Sequence, residues 1–303
     1  MKRLTQEGDA LNGQVSLSLS KTCRNLLCLA IGIYGVAYFD STFLVATAMS
    51  FITMYIGVVA YHRLLIHRSF KCPSSVEHLL VFLANFSGMS GPISLMKTHE
   101  MRDWAQRQKV CHPYFSHKNS ILTDGFQQLF CKITLQKTPI FNLELEKDAF
   151  YQHLESCWFL YQIPLGILLY SLGGWGWVCG GIFLKMFNIQ FGHWLVAHLI
   201  HHFGQQPQIM PEAGVQGYNI PLLALFTFGE SYHNNHHSCP EAAKNSFRKG
   251  EIDPAWWFIA LLQKLGLASQ VITCEERPTA NHVHLVVEKL IPGSLTKKNV
   301  KIA

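Results

Sequence analysis

Charge is what this sequence has least of. Lys, Arg, Asp and Glu supply 15% of its 303 residues, against roughly 25% in a soluble domain. Its nine cysteines include no C-x-x-C pair, which excludes rubredoxin-like and ferredoxin-like iron sites. Their odd number, without framework spacing, reads as reduced thiols in a cytoplasmic-facing or lipid-buried setting. There is no Gly-rich dinucleotide fingerprint. The net charge of +6 is scattered rather than gathered into a stripe, so nucleic acid is not an expected partner. No apolar run follows the basic start MKRLTQEGDALNG, which therefore does not read as a secretory signal. Residues 1–22 read as a cytoplasmic leader.

What the chain does have is apolar length and histidine. Hydrophobic residues reach 49%, and 16 histidines stand beside 25 Lys and Arg and 19 Asp and Glu. Four spans are expected, at about 23–39, 43–61, 157–172 and 175–198. The uncharged run from Phe43 to Tyr61 would extend ~29 Å as a helix, close to a hydrocarbon thickness. The first two spans are joined by Asp40-Ser41-Thr42 and the last two by Gly173-Gly174, with no basic residue in either turn. Lys2, Arg3, Lys21, Arg24, Arg63 and Arg68 fall on the other side. The positive-inside rule then puts both termini and the long middle segment in the cytoplasm.

The expectation is an all-α integral membrane protein. Four transmembrane helices form two hairpins, beneath a cytoplasmic helical cap carrying a histidine-rich metal site. The membrane domain covers 23–270, with a cytoplasmic tail at 271–303 whose basic end, Pro292 to Ala303, reads as mobile. Val76 to Met96 is broken by Gly88, Gly91 and Pro92 and reads as surface-lying or re-entrant. Trp256 to Leu267 is too short to span and reads as an amphipathic helix opening at Asp253-Pro254.

Seven histidines fall at the cytoplasmic ends of apolar elements: His62, His67, His99, His198, His233, His236 and His237. Neutral imidazole is a good ligand for iron, zinc and copper. His233 and His237 are four apart and share a face on a helix, with His236 three from His233. His62 and His67 are five apart, so on an α-helix they diverge by roughly 140° and address two metals or two sides of one cavity. Seven imidazoles exceed the needs of one four-coordinate zinc and suit two ions. His78, His153, His193, His282 and His284, taken singly, read as interface or core residues.

The stretches HRLLIHRSFK, LLALFTFGESYHNNHHSCPEAA and GEIDPAWWFIALLQKLGLA, with an Ala-His at the end of the fourth span, resemble the membrane-bound fatty acid desaturases, in particular the Δ9 acyl branch. The resemblance covers about residues 25–270. It implies two irons held in three histidine boxes plus a histidine after the fourth span. The ligand roles it implies fall on His62 and His67, on His198, and on His233, His236 and His237. The second box departs from the family pattern H-R-x-H-H: it reads His99-Glu100-Met101-Arg102-Asp103. Asp103 can ligate iron; Arg102 cannot. His112 and His117 follow, and either or both are candidates to replace the missing imidazoles. Trp194 stands where the family usually has an Asn. A site with one iron lost stays open.

The reaction implied is O2-dependent removal of two hydrogens from a saturated acyl chain, with electrons from an external ferredoxin or cytochrome b5. The acyl group would be carried by coenzyme A, an acyl carrier protein or a lipid. Lys97, Arg102, Arg107 and Lys109 are candidates for head-group phosphates, or simply the basic membrane face. Glu230 is the candidate to orient an imidazole N–H behind the ligands. Trp104, Trp158 and Trp175 read as tunnel walls or interface anchors. The same oxidant would serve a hydroxylase, acetylenase or decarboxylase. A lipid-binding relative with a degraded metal site is the non-catalytic reading. A haem electron carrier predicts mid-helix histidines, whereas these sit at helix ends.

Overall fold

A computed structural model describes residues 8–141, 143–276, 283–291 and 294–300. His282 and Pro292, used in the sequence reading, lie outside the described residues. In chain order the helices are α1 (Leu19–Tyr38), α2 (Thr42–Gly57), the π-helix π1 (Val58–Ile66), α3 (Ser74–Asn85), α4 (Pro92–Arg107), α5 (Pro113–Ser116), α6 (Ile121–Phe130), α7 (Ala149–Cys157), α8 (Gln162–Val178), the π-helix π2 (Cys179–Leu184), α9 (Lys185–Ile200), α10 (His233–Ser238) and α11 (Pro254–Lys264). The strands are β1 (Gly13–Leu17), β2 (Cys131–Leu135), β3 (Val271–Glu276), β4 (Val283–Ile291) and β5 (Ser294–Val300).

The architecture is mostly helical, but the expected all-α class is corrected by two small antiparallel sheets. β1 pairs with β2, running from Gly13 opposite Leu135 to Leu17 opposite Cys131. β3, β4 and β5 form a meander in the expected tail. The physical reason is local: Val-Ile-Thr in β3 and Ile-Thr in β2 are β-branched and favour a pleated backbone. Those short runs were overshadowed by the apolar helices.

Among the described residues, two helical runs are long and apolar enough to cross a membrane, Thr42–Ile66 and Gln162–Ile200. The second, 39 residues long, is interrupted. Gly173 and Gly174 leave helical geometry, with Gly174 at φ 68° and ψ −159°, a conformation open essentially to glycine. The helix is therefore broken at the pair where the sequence predicts a turn. Val76 to Met96 is not one helix. α3 ends, Gly88 turns at φ 70°, and Pro92 starts α4 from its first turn.

The chain divides into two compact units. The first comprises Met1–Met54, Phe82–His198 and Ala213–Val215. Its apolar core gathers Cys28, Leu169, Val178, Ile182 and Met186 from α1, α8, π2 and α9. Gly180 lies against the Thr42 carbonyl with no room for a Cβ. A second core joins Ala10, Ala105, Tyr114, Phe115 and Leu135.

The second unit comprises Tyr55–Val81, Leu199–Glu212 and Gln216–Ala303. Its organising residue is Arg63 on π1, 1% exposed. Arg63 donates to Glu230, Asp253, the Ala243 carbonyl and the Phe228 carbonyl, and pairs with both carboxylates at 2.9 Å. A buried guanidinium without such partners would cost several kcal/mol, so the network fixes where π1 meets the loops around it. Asp253 also caps α11, accepting from Trp256 N at 3.0 Å, as the Asp-Pro signal predicted. The expectation of reduced thiols is corrected at one pair: Cys239 and Cys274 form a disulfide. They lie 35 residues apart, a spacing with no sequence signature. The other seven cysteines are free.

Candidate metal centre

Two groups of imidazoles form in the second unit. The first is built on π1. Its backbone N–H of His67 bonds the carbonyl of His62 at 3.0 Å, an i→i+5 bond. That bond brings residues five apart onto one another, whereas an α-helix would hold them apart. The two Nε2 atoms consequently stand 3.1 Å from each other. The divergence expected of His62 and His67 is thus corrected by the helix type. His236 joins them from α10, its ring 4.9 Å from His62 and 4.7 Å from His67.

Behind this group stands Glu230. Its Oε2 lies 2.7 Å from His62 Nδ1, and its Oε1 accepts from Arg63 and Asn245. A carboxylate on Nδ1 places the proton there and leaves the Nε2 lone pair facing His67. Burial alone would raise the Glu230 pKa. The neighbouring His62 and Arg63, by charge and hydrogen bond, instead lower it to about 2. Gly229 supplies the sharp approach at φ 93°, packed against Asp253 and Arg63 where a Cβ has no space.

The second group is His201, His233 and His237. His233 Nε2 is 3.3 Å from His201 Nε2 and 2.9 Å from His237 Nε2. These three rings offer ligand atoms within 4.8 Å of one another. One ring nitrogen carries either a proton or a lone pair, so three converging Nε2 atoms suit a cation better than a hydrogen-bond chain. Burial, then the nearby imidazoles His237, His201, His236 and His62, push the His233 pKa well down. The neutral, ligand-competent imidazole is the result.

α10 is held by the two asparagines between its histidines. Asn219 Oδ1 accepts from the backbone N–H groups of Asn234 and Asn235, satisfying orphan donors at the helix start. Asn234 and Asn235 in turn bond Gln208, Gly217 and Asn245 carbonyls. The spacing H-N-N-H-H therefore sends His233 and His237 to one group and His236 to the other, as the helical face pattern allows.

His201 was missed by sequence reasoning, although it stands only three residues beyond His198. His198 lies in the first unit, where it meets His117 and Asp124. His112 accepts from Tyr114 N at 3.1 Å and acts as the N-cap of α5. His99 and Asp103 share one face of α4 at 3.5 Å. Arg102 donates to Gln128 at 2.9 Å. The proposed phosphate-binding bases have acidic neighbours: Lys97 pairs with Glu146, and Arg107 with Asp103 at 3.5 Å. Trp175 is 61% exposed and lines an open apolar groove of about 330 Å³ with Ile163, Ile167 and Tyr170. Trp104 packs against the core around Ala105 and Trp158 against that around Leu169.

No family model matches the chain. Among known proteins, it is 31% identical over 234 residues to an sn-1 stearoyl-lipid 9-desaturase of Anabaena variabilis, covering 77% of this chain and 85% of that one. It is 33% identical over 225 residues to an sn-2 palmitoyl-lipid 9-desaturase of Nostoc sp. (strain 36), covering 72% and 77%. With the Delta-9 acyl-lipid desaturase 2 of Arabidopsis thaliana the identity is 28% over 265 residues, 85% of this chain and 82% of that protein.

Proposed function

The chain belongs to the Δ9-type acyl desaturase family, and from that premise we propose that it is an oxidoreductase that introduces a double bond into a saturated fatty acyl chain at a histidine-held di-iron centre. The observation that carries the metal part is the convergence of His62, His67 and His236 in one group and of His201, His233 and His237 in another. Two groups of imidazoles are an appropriate donor set for iron. His99 and Asp103 are further candidate ligands through the family's second box. The place that the resemblance gave to His198 goes, in this reading, to His201.

Iron bound there supplies, with O2, the oxidising power for an unactivated C–H bond, which side chains alone lack. The chain's own residues do the rest. Glu230 keeps the His62 proton on Nδ1, and Arg63 keeps Glu230 ionised. Asn219, Asn234 and Asn235 fix the backbone of α10, from which three imidazoles reach the two groups. The apolar spans, four in two hairpins with the histidines on the cytoplasmic side, bring the acyl chain from the bilayer. Electrons come from an external ferredoxin or cytochrome b5 type donor.

The favoured substrate form is a lipid-linked acyl chain. The relatives reported above are lipid desaturases by name, and Lys97 and Arg107 already have carboxylate neighbours, which weakens them as a coenzyme A phosphate site. The test is expression in a host without its own Δ9 activity, with lipid-class analysis by mass spectrometry. Monounsaturated chains appearing first in glycerolipids are expected. Unsaturation appearing first in acyl-CoA would sink the lipid-linked reading, and a hydroxylated product would sink desaturation.

A further inference from the structure

The first unit contains a second cluster of ligand-type side chains that the reaction above does not use. His117 ends α5, Asp124 lies on α6 and His198 on α9, and all three are buried. Asp124 Oδ2 stands 2.9 Å from His117 Nδ1 and 2.9 Å from His198 Nδ1. Two donors each about 2.1 Å from one ion stand about 3 Å apart at the right angles of an octahedral shell and about 3.4 Å apart in a tetrahedral one, so these separations correspond to the octahedral case. The Trp194 indole N–H reaches the same oxygen at 2.9 Å, as outer donors do to ligating carboxylates.

Three further observations point to a missing cation. Asp124 Oδ1 is buried and has no hydrogen-bond partner among the described residues. A carboxylate at 0% exposure, touched only by imidazoles and an indole, carries a charge whose burial costs several kcal/mol unless compensated. His117 is held at φ 55°, ψ 19°, a left-handed backbone that costs energy for a non-glycine residue.

We propose that His117, Asp124 and His198 form a separate two-histidine, one-carboxylate site for a divalent transition metal, zinc or ferrous iron, with Trp194 bonded to its carboxylate. Because none of the six imidazoles assigned above takes part, this site stands or falls independently of the desaturase centre. The competing arrangement is a metal-free hub in which both imidazoles donate Nδ1–H to Asp124.

The experiment uses the full-length chain in detergent, stripped of metal, with Co2+ as the probe. Subtracting the fluorescence of Trp194→Phe from that of wild type isolates the Trp194 signal. Bound Co2+ beside the indole is expected to quench that component, and Asp124→Asn is expected to abolish the quenching and lower bound metal by one ion per chain. A His233→Ala/His237→Ala variant should retain the Trp194 quenching. An unquenched Trp194 component in wild type at saturating Co2+ overturns the site, and this readout holds even if Asp124→Asn does not fold. A failure of the desaturase reading would show instead as absent product with this quenching intact.

Discussion

Glu230 touches no substrate, yet it decides which nitrogen of His62 is available. Replacing it by Gln keeps the shape but removes the charge that holds the Nδ1 proton. Losing the carboxylate behind a ligating imidazole costs about 10–100-fold in metal affinity, so Glu230→Gln should lose iron at a chelator concentration that leaves wild type loaded. His237→Ala removes a ligand outright, and desaturation should fall below detection while the protein still extracts with membranes. Iron analysis and product assay on the same preparations check both. At this scale the sequence was readable where chemistry is concentrated: His233, His236, His237 and Glu230 were all singled out. It was not readable at His201. His198 and His201 are three apart and share a helical face, and choosing between them requires knowing where α9 ends. Helix ends are the least legible boundary in a sequence.

Among the elements, π1 is the one whose geometry the histidines depend on. Deleting Val59 removes the extra residue that a π-turn accommodates and returns the backbone to i→i+4 pairing. His67 should then rotate away from His62, and bound iron should fall with little change in helical circular dichroism. Loss of helicity would mean that π1 stabilises the fold rather than the site. The disulfide makes a second element-level expectation. Cys239 ends α10 and Cys274 lies in β3. Both should resist maleimide until reductant is added, and replacing the pair by Ala should cost roughly 3–4 kcal/mol for a loop of this length. The helices were legible because apolar length and the Asp253 cap leave clear signals. π1 was not, since nothing in AYHRLLIH distinguishes a π-turn from an α-turn until tertiary contacts such as those of Arg63 select it.

On the scale of the whole molecule, the apolar runs and the Gly173-Gly174 break were legible because lipid-spanning helices demand length and turns demand glycine. The five strands were not: β1 and β2 pair across a long stretch of chain, and the β3–β5 meander, though local, was overshadowed by the apolar helices. β1 and β2 are separated by more than a hundred residues, and propensity alone cannot locate such pairing. Reporters fused to the two termini should both be cytoplasmic, and opposite placement would remove the two-hairpin topology. α10 has a consequence for assembly in the cell. Six residues of helix are marginal by themselves, and those six carry ligands for both imidazole groups. The asparagine ties hold the α10 backbone, and the first ion to arrive fixes its imidazole rotamers, so the second meets a prepared partner and binds with less entropic opposition. Under iron starvation the population should therefore split into empty and fully charged molecules, with half-charged ones scarce. Native mass spectrometry across an iron titration would show that bimodal distribution, and a dominant single-iron species would contradict it.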